Sequence, residues 1–304
     1  MAKLCISCNS DKNIKLHQKK SFLKCPVYRC NKCGLYFFYS DDKRMERKCD
    51  EYYKKTYWNT IRKRWDEKRR FLNIIIKTLR KLRTEPLQQL WHYNLIKNYI
   101  SAKSRKFLDI GCAKGDFMLF FSKKEFDVRG IEPDKNNTKI VNRLFKKEVC
   151  INGLVEKVKI MERFDVVYLC HVFEHLIRPD LFLKKIKNNL NKDGVIFLEV
   201  PNCENKKILN ASINYHPHIY SFTLSSMRKL FENNGYKILR IGTYSEIHKN
   251  YIIMFLLMLF GANNYKQAPG EKGERIIVLA KNRGNLGRLV RNWQLLDTQN
   301  ILHH

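Results

Sequence analysis

The stretch "FLDIGCAKGDFMLFFSKKEFDVRGIEP", residues 107–133, holds an apolar run, a glycine-bent turn, an amphipathic segment and a second apolar run. "KFLDIG" is short and apolar enough to be a buried strand, "DFMLFFSKK" has helical spacing, and "DVRGIEP" reads as the next strand. Outward from there the alternation continues through helix "NTKIVNRLFKK", strand "FDVVYLCH", helix "LFLKKIKNNL" and strand "GVIFLEVP". Apolar strands with helices between them predict an α/β fold, a mostly parallel sheet with helices on both faces. Ligands bind such sheets beyond the carboxyl ends of the strands, so the loops there are the place to seek chemistry.

The first such loop is "LDIGCAKGDF". Gly111 permits a sharp turn and Gly115 a close ligand approach, but G-x-x-x-G is neither the dinucleotide fingerprint nor a phosphate-binding P-loop. Glu132 ends the second strand, where a carboxylate can accept hydrogen bonds from a ribose diol. Together they indicate a nucleoside-containing cofactor with no pyrophosphate to cradle.

Ahead of this region, Cys5-x-x-Cys8 and Cys30-x-x-Cys33-Gly34 form two knuckles separated by 21 residues. Four thiolates so spaced complete a closed tetrahedral zinc shell, a structural rather than catalytic site. Gly34 suits the positive φ such a turn needs. The first residues lack an apolar leader core, and ten cysteines without an export signal point to a reducing, cytoplasmic setting. The formal charge is +30, with 39 Lys against 20 Arg spread along the whole chain. Either this is a compositional drift that solvates every face, or it is a basic surface for nucleic acid, anionic lipid or phosphorylated substrates.

The stretches "FLDIGCAKGDFMLFFSKKEFDVRGIEP" and "FDVVYLCHVFEHLIRPDLFLKKIKNNLNKDGVIFLEVPN" resemble the class I S-adenosylmethionine-dependent methyltransferases over residues 104 to 240. The knuckles ending "CNKCGLYFF" resemble the zinc-binding N-terminal module of a subset that methylates sugars and other small metabolites in polysaccharide or antibiotic pathways. The resemblance implies a Rossmann-like, seven-stranded sheet, closed by an antiparallel pair from "YKILRIGTYSE" and "ERIIVLAKN". It implies that Asp109, Gly111, Cys112 and Gly115 line the methionine end of S-adenosylmethionine. Glu132 and Pro133 would serve the ribose, Gly153 and Leu154 the adenine, and His171 the cofactor's reactive side. Two departures stand out: Ala113 replaces the middle glycine of the loop, a methyl tolerable at negative φ, and no acid sits beside Gly153. The implied organisation is a zinc ribbon over 1–42, a basic helical linker over 43–103, a methyltransferase domain over 104–284 and a terminal helix over 285–304.

"HVFEH", 171–175, also spells the inverted zinc-peptidase motif H-x-x-E-H, with Glu246 as a conceivable third ligand. That motif needs a long helix, whereas here it follows a strand and Pro179 comes four residues after His175, so a cofactor-side wall is the better reading. Methyl transfer to a hydroxyl requires alignment and a proton acceptor, and imidazole suits neutral pH. His171 and His175, with His216, His218 and Tyr220 of "NYHPHIYSFT", are the candidates, His175 or His218 being the expected base. Each could equally be pocket wall or a solvent-facing loop residue.

Two segments could touch a membrane: the basic amphipathic stretch 71–82 and the apolar run 251–261, which is too short to span a bilayer. Ordinary packing or an oligomer contact is the competing reading, so the protein is expected to be cytoplasmic or peripheral to the inner membrane face. The expected acceptor is a sugar or nucleotide sugar. An RNA acceptor would use the charge, and a non-catalytic cofactor-binding scaffold is the third alternative.

Overall fold

The parallel half of the sheet grows from the strand that carries Asp109. A computed structural model describes residues 4–38, 87–103, 105–247 and 264–285, with isolated helical positions at 45, 47, 253, 256 and 257. Three short strands come first: β1 (Ile14–Gln18), β2 (Val27–Cys30) and β3 (Tyr36–Phe38). Helix α1 (Leu87–Lys97) then leads into β4 (Lys106–Ile110), α2 (Asp116–Lys123), β5 (Asp127–Glu132), α3 (Lys135–Phe145), β6 (Cys150–Asn152) and β7 (Phe164–Cys170). After β7 comes a single 3-10 turn, Phe173–His175, then α4 (Pro179–Ile186) and β8 (Leu190–Pro201). The chain continues with α5 (Lys206–Asn214), β9 (Tyr220–Ser221), α6 (Leu224–Asn233), β10 (Tyr236–Glu246), β11 (Tyr265–Gln267) and β12 (Arg275–Asn282).

The large sheet has the order β11-β10-β12-β8-β7-β4-β5-β6. The five strands from β8 to β6 run parallel, and β12, β10 and β11 are antiparallel. The expected closing pair is present, with β12 inserted between β8 and β10. The count is eight rather than seven because β11 adds a further edge strand beyond the pair. Helix α5 had no counterpart in the sequence reading.

Strand alternation divides the core into two apolar layers. Leu108, Ile110, Val167, Leu169, Ile196, Leu198 and Val200 face one layer. Phe107, Val166, Tyr168, Val195 and Phe197 face the other, under α1 and α2. There Phe107 stacks on Phe121 at 3.9 Å between ring centroids, and each ring so buried contributes about 1.5–3 kcal/mol.

The cysteine-rich segment packs on the first layer. Its sheet, β1-β2-β3, takes β9 as its fourth strand, so one strand of this small sheet comes from Tyr220–Ser221, far along the chain. Thr223 Oγ1 donates to the Cys33 carbonyl at 3.0 Å and Asn233 Nδ2 to the Ser7 carbonyl at 2.9 Å. Cys5, Val27, Cys30, Leu35 and Phe37 join the same apolar cluster as Phe222 and Phe231.

The basic stretch 71–82 and residues 286–304 lie outside the described residues. Of 251–261, the described positions are Ile253 and Leu256, 37% and 46% exposed, and Leu257, which packs against the second layer. Among the described residues no helix is long and apolar enough to cross a membrane.

Candidate active site

The turn after β4 is built from left-handed backbone. Gly111 has φ +72°, and a Cβ there would lie 2.4 Å from Val172 Cγ2. That near-contact ties the cofactor-side loop directly to the histidine turn. Gly115 has φ +79° at the start of α2, and a Cβ there would press on Val141 at 3.1 Å. Helix packing and turn conformation therefore account for Gly115. Ala113 keeps φ +48°, not the negative φ that would make its methyl harmless, at a cost of about 1–2 kcal/mol. Its backbone N–H donates to Glu132 Oε2 at 2.9 Å, which helps hold the strained loop.

Glu132 is 3% exposed, and its other oxygen accepts from Asp134 N at 2.9 Å. The carboxylate thus braces two loops, and the Asn137 side chain donates to it as well. Burial raises its pKa while these amides oppose the rise. Burial likewise pushes the Asp109 carboxyl well above its usual range, helped by the nearby Cys150 and Glu132. Gly153 donates its N–H to the Glu132 carbonyl at 3.1 Å, and Leu154 starts the adjoining turn, accepting from Lys157 and Val158.

Two expected cofactor contacts are altered. The Cys112 side chain is buried in the second apolar layer, its Sγ 3.5 Å from Cys150 Sγ, because the left-handed turn at Gly111 breaks the alternation of β4 and swings it to the side of Phe107. Pro133 is exposed, and its carbonyl accepts from Asn152 Nδ2 at 3.0 Å.

The H-x-x-E-H letters do not form a helix. His171 ends the strand with φ +55°, and Glu174 and His175 sit on the 3-10 turn anchored by Phe173, which stacks on Phe222 at 5.4 Å. The paired-imidazole geometry of an inverted peptidase is therefore absent, and Glu246 instead accepts from Arg275 Nη2 at 2.8 Å. His171 faces two carboxylates, Glu199 Oε1 at 3.1 Å and Glu174 Oε1 at 3.4 Å. Partial desolvation works against its charge, with 46% of the side chain still open to solvent, and the two carboxylates lift its pKa to about 10, so it is a cation at neutral pH. It is a poor base.

Glu174 is 1% exposed. Burial opposes its ionisation, but His171, with His175 and His218 nearby, holds its pKa at about 2. Its backbone carbonyl accepts from Ile219 N at 2.9 Å, which clamps the 3-10 turn to the loop bearing His218. His218 is 8% exposed, its Nδ1 2.9 Å from Ser212 Oγ and its Nε2 3.9 Å from Glu174 Oε1. Burial, then the neighbouring His175, pushes its pKa down to about 3. His175 donates from Nδ1 to the Pro217 carbonyl at 3.3 Å, and burial lowers its pKa too. The His175 and His218 rings meet edge to face at 4.8 Å, and His216, exposed, stacks on His218 at 5.0 Å. Tyr220 is buried on β9 and donates its hydroxyl to the Ile177 carbonyl at 3.0 Å, a seam contact that ties ribbon to site.

The sequence reading missed a second network beneath His171. Glu199, 0% exposed near the end of β8, pairs with His171, with His92 Nε2 at 2.9 Å and with Arg275 Nη1 at 3.3 Å. Because the Glu199 carboxylate can only accept, His92 carries its proton on Nε2, and Nδ1 accepts from the Tyr168 hydroxyl at 2.7 Å. One signal was available: a glutamate inside the otherwise apolar "VIFLEV" must find cationic partners. Nothing local marked His92, Ser212 or Arg275.

In the cysteine-rich segment, Cys5 and Cys33 approach to 3.5 Å between sulfurs, as do Cys8 and Cys30, and all four sulfurs lie within 4.8 Å of one another. Sulfurs around a tetrahedral ion with bonds of ~2.3 Å lie about 3.8 Å apart, so the set fits zinc. Gly34 has φ +78°, the conformation expected of the knuckle turn.

The family described as "Methyltransferase domain" matches residues 78–241, more than half of the chain. The tRNA U34 carboxymethyltransferase of Campylobacter jejuni is 28% identical over 164 residues, 49% of this chain and 56% of that protein. The Campylobacter lari enzyme of the same name is 30% identical over 129 residues, 40% of this chain and 44% of its own. The chain thus spans about half the length of the curated relatives it matches. Among solved structures, the plantazolicin methyltransferase BamL with a triazolic desmethylPZN analog and SAH superposes with a TM-score of 0.56 at 11% identity, over 80% of this chain and 97% of that one. Plantazolicin methyltransferase BpumL, with the same two ligands, gives 0.53 at 20% identity over 80% and 98%. These structures share the fold. With a glycine turn and acidic strand tip at one end of its sheet and the family match across it, the chain belongs to the class I S-adenosylmethionine-dependent methyltransferases.

Proposed function

We propose that this enzyme methylates a protic oxygen or nitrogen of a small polar acceptor, a sugar or nucleotide sugar, held against His175, His216 and His218. The observation that carries the reading is the convergence of these imidazoles around buried Glu174, one residue layer from the Gly111 turn. The bound S-adenosylmethionine supplies an electrophilic methyl group. Asp109 and the Gly111–Gly115 turn hold its methionine end, Glu132 the ribose, and Gly153 and Leu154 border the adenine. His175, His216 and His218 are neutral at pH 7, so one imidazole of the cluster can take up the acceptor's proton, while cationic His171 fixes Glu174 and Glu199 in place. The four cysteines hold a structural zinc ion that keeps the ribbon folded over the β9 seam.

A second reading, an RNA acceptor, is favoured by the names of the curated relatives and by the +30 charge. Tyr215, 66% exposed beside His216, offers a ring on which a base could stack. Incubation with labelled methyl donor and either a panel of nucleotide sugars or bulk tRNA separates the two. Label in the sugar fraction supports the first reading; label confined to tRNA overturns it.

A further inference from the structure

We infer that Glu174, His175 and His218 form a second metal site, one that takes a divalent transition-metal ion at the acceptor end of the sheet. The inference rests on the reading of this cluster as the acceptor site, and it gives that site a cation. One ligand atom from each residue lies within 4.8 Å of the other two. Donors around a shared ion with bonds of ~2.0–2.2 Å sit about 3–3.5 Å apart, so a modest side-chain adjustment closes the set.

The independent observation is the carboxylate itself. Glu174 is 1% exposed, yet neither of its side-chain oxygens receives a hydrogen bond. Buried carboxylate oxygens are ordinarily satisfied, and an ion is one standard occupant of such a gap. His171 stands on one side at 3.4 Å, and His218 Nε2 faces the same oxygen from 3.9 Å.

The outer contacts of the imidazoles agree with ligation. His175 donates from Nδ1 to the Pro217 carbonyl, which leaves the lone pair on Nε2. His218 Nδ1 meets Ser212 Oγ at 2.9 Å, and Ser212 Oγ meets Ser221 Oγ at 2.7 Å. With Ser212 donating onward to Ser221, His218 donates from Nδ1 and keeps its lone pair on Nε2. Metal-bound histidines are oriented in this way, with the second nitrogen held by a carbonyl or hydroxyl. Backbone geometry fixes the rest: Ile219 N donates to the Glu174 carbonyl, binding the two contributing segments together.

Two imidazoles and one carboxylate select zinc, iron(II), cobalt or manganese over magnesium and calcium, which prefer all-oxygen shells. Three protein ligands leave open positions on the side where His175 is half-exposed and His216 exposed. An acceptor hydroxyl bound there loses its proton to His216. The oxygen's electron pair then forms the new O–C bond as the S–C bond of the donor breaks, and the sulfonium leaves as a neutral thioether. In this arrangement His175 and His218 act as ligands and His216 as the proton acceptor.

Cobalt(II) titration of the demetallated full-length protein tests the site, because thiolate and imidazole–carboxylate cobalt have different spectra. Two equivalents are expected: one with intense sulfur charge-transfer bands from the cysteines, one with weak ligand-field bands alone. Glu174→Gln and His218→Gln should each weaken the second equivalent by at least tenfold and leave the thiolate spectrum unchanged. That unchanged spectrum also reports that the variants fold. Uptake of a single, thiolate-type equivalent overturns the inference, as does a second equivalent that persists in both variants. If the second ion binds as expected but its selective removal leaves methylation of sugar acceptors intact, the site stands and the acceptor-site reading fails.

Discussion

The two ends of this active site are built by different means. The cofactor end is made of backbone: Gly111, Ala113 and Gly115 in left-handed conformations, with Glu132 accepting from the Ala113 and Asp134 amides. These positions come from one β-α-β stretch of the chain, with Gly153 and Leu154 added from the turn after β6. The proposed acceptor end is made of side chains delivered from separate places: Glu174 and His175 from the turn after β7, His218 from the loop before β9, and Glu199 from β8, with His92 behind it on α1. A turn held in left-handed backbone tolerates few substitutions, although the Asp109 and Glu132 carboxylates beside it are side chains. A side-chain site can change its acceptor one residue at a time. The same sheet therefore carries a fixed half and an adjustable half.

Substitutions should affect one half and spare the other. The largest effect is expected from Gly111→Ala. A Cβ 2.4 Å from Val172 and a φ of +72° together should cost about 2–4 kcal/mol and abolish measurable cofactor binding, checked by thermal unfolding and calorimetry. Because Val172 lies in the histidine turn, this variant would also disturb the acceptor end, and it marks where the two halves touch. Next comes His218→Ala, which should lower kcat by about 10²–10⁴-fold while cofactor affinity stays within about threefold. An equal loss of cofactor affinity, measured by calorimetry, would break the comparison.

A smaller effect is expected from pH. Burial raises Asp109, so the free protein holds a proton there below that raised value. In the proposed contact the Asp109 carboxylate must be ionised to hold the cofactor's ammonium, so binding should release a proton. Affinity should therefore rise with pH, by up to about tenfold per unit, until the free carboxyl is itself ionised. Calorimetry in two buffers of different ionisation enthalpy counts the released proton, and a count of zero would remove Asp109 from the contact. The smallest effect is expected for Ala113→Gly. Relief of left-handed strain is offset by glycine's greater unfolded-state entropy, so stability should change by about 1 kcal/mol or less, as read from denaturant midpoints.

The halves also differed in how far they could be read in advance. The periodicity of residues 106–201 placed four of the five parallel strands, because buried parallel strands show as continuous apolar runs; the three-residue β6 is too short to show one, and β8 begins four residues earlier than its apolar run. The Gly111 turn and the Glu132 tip stood out because special backbone needs special residues. His175 and His218 were visible as chemistry-bearing side chains, yet nothing in the letters joined them to Glu174 or separated His171 as the cation. The sulfur knuckles were legible from spacing; the strand that completes their sheet, Tyr220–Ser221, was not.

By itself the sequence determined the α/β alternation, the glycine turn, the acidic strand tip and the four converging thiols, since each depends on residues close along the chain. Only the tertiary structure decided which histidine is charged, which buried carboxylate has an ion pair but no hydrogen bond, and that Glu199 links α1 to the site. Those properties depend on burial and on partners dozens to about a hundred residues away, and electrostatic state follows from neighbours in space rather than neighbours in sequence.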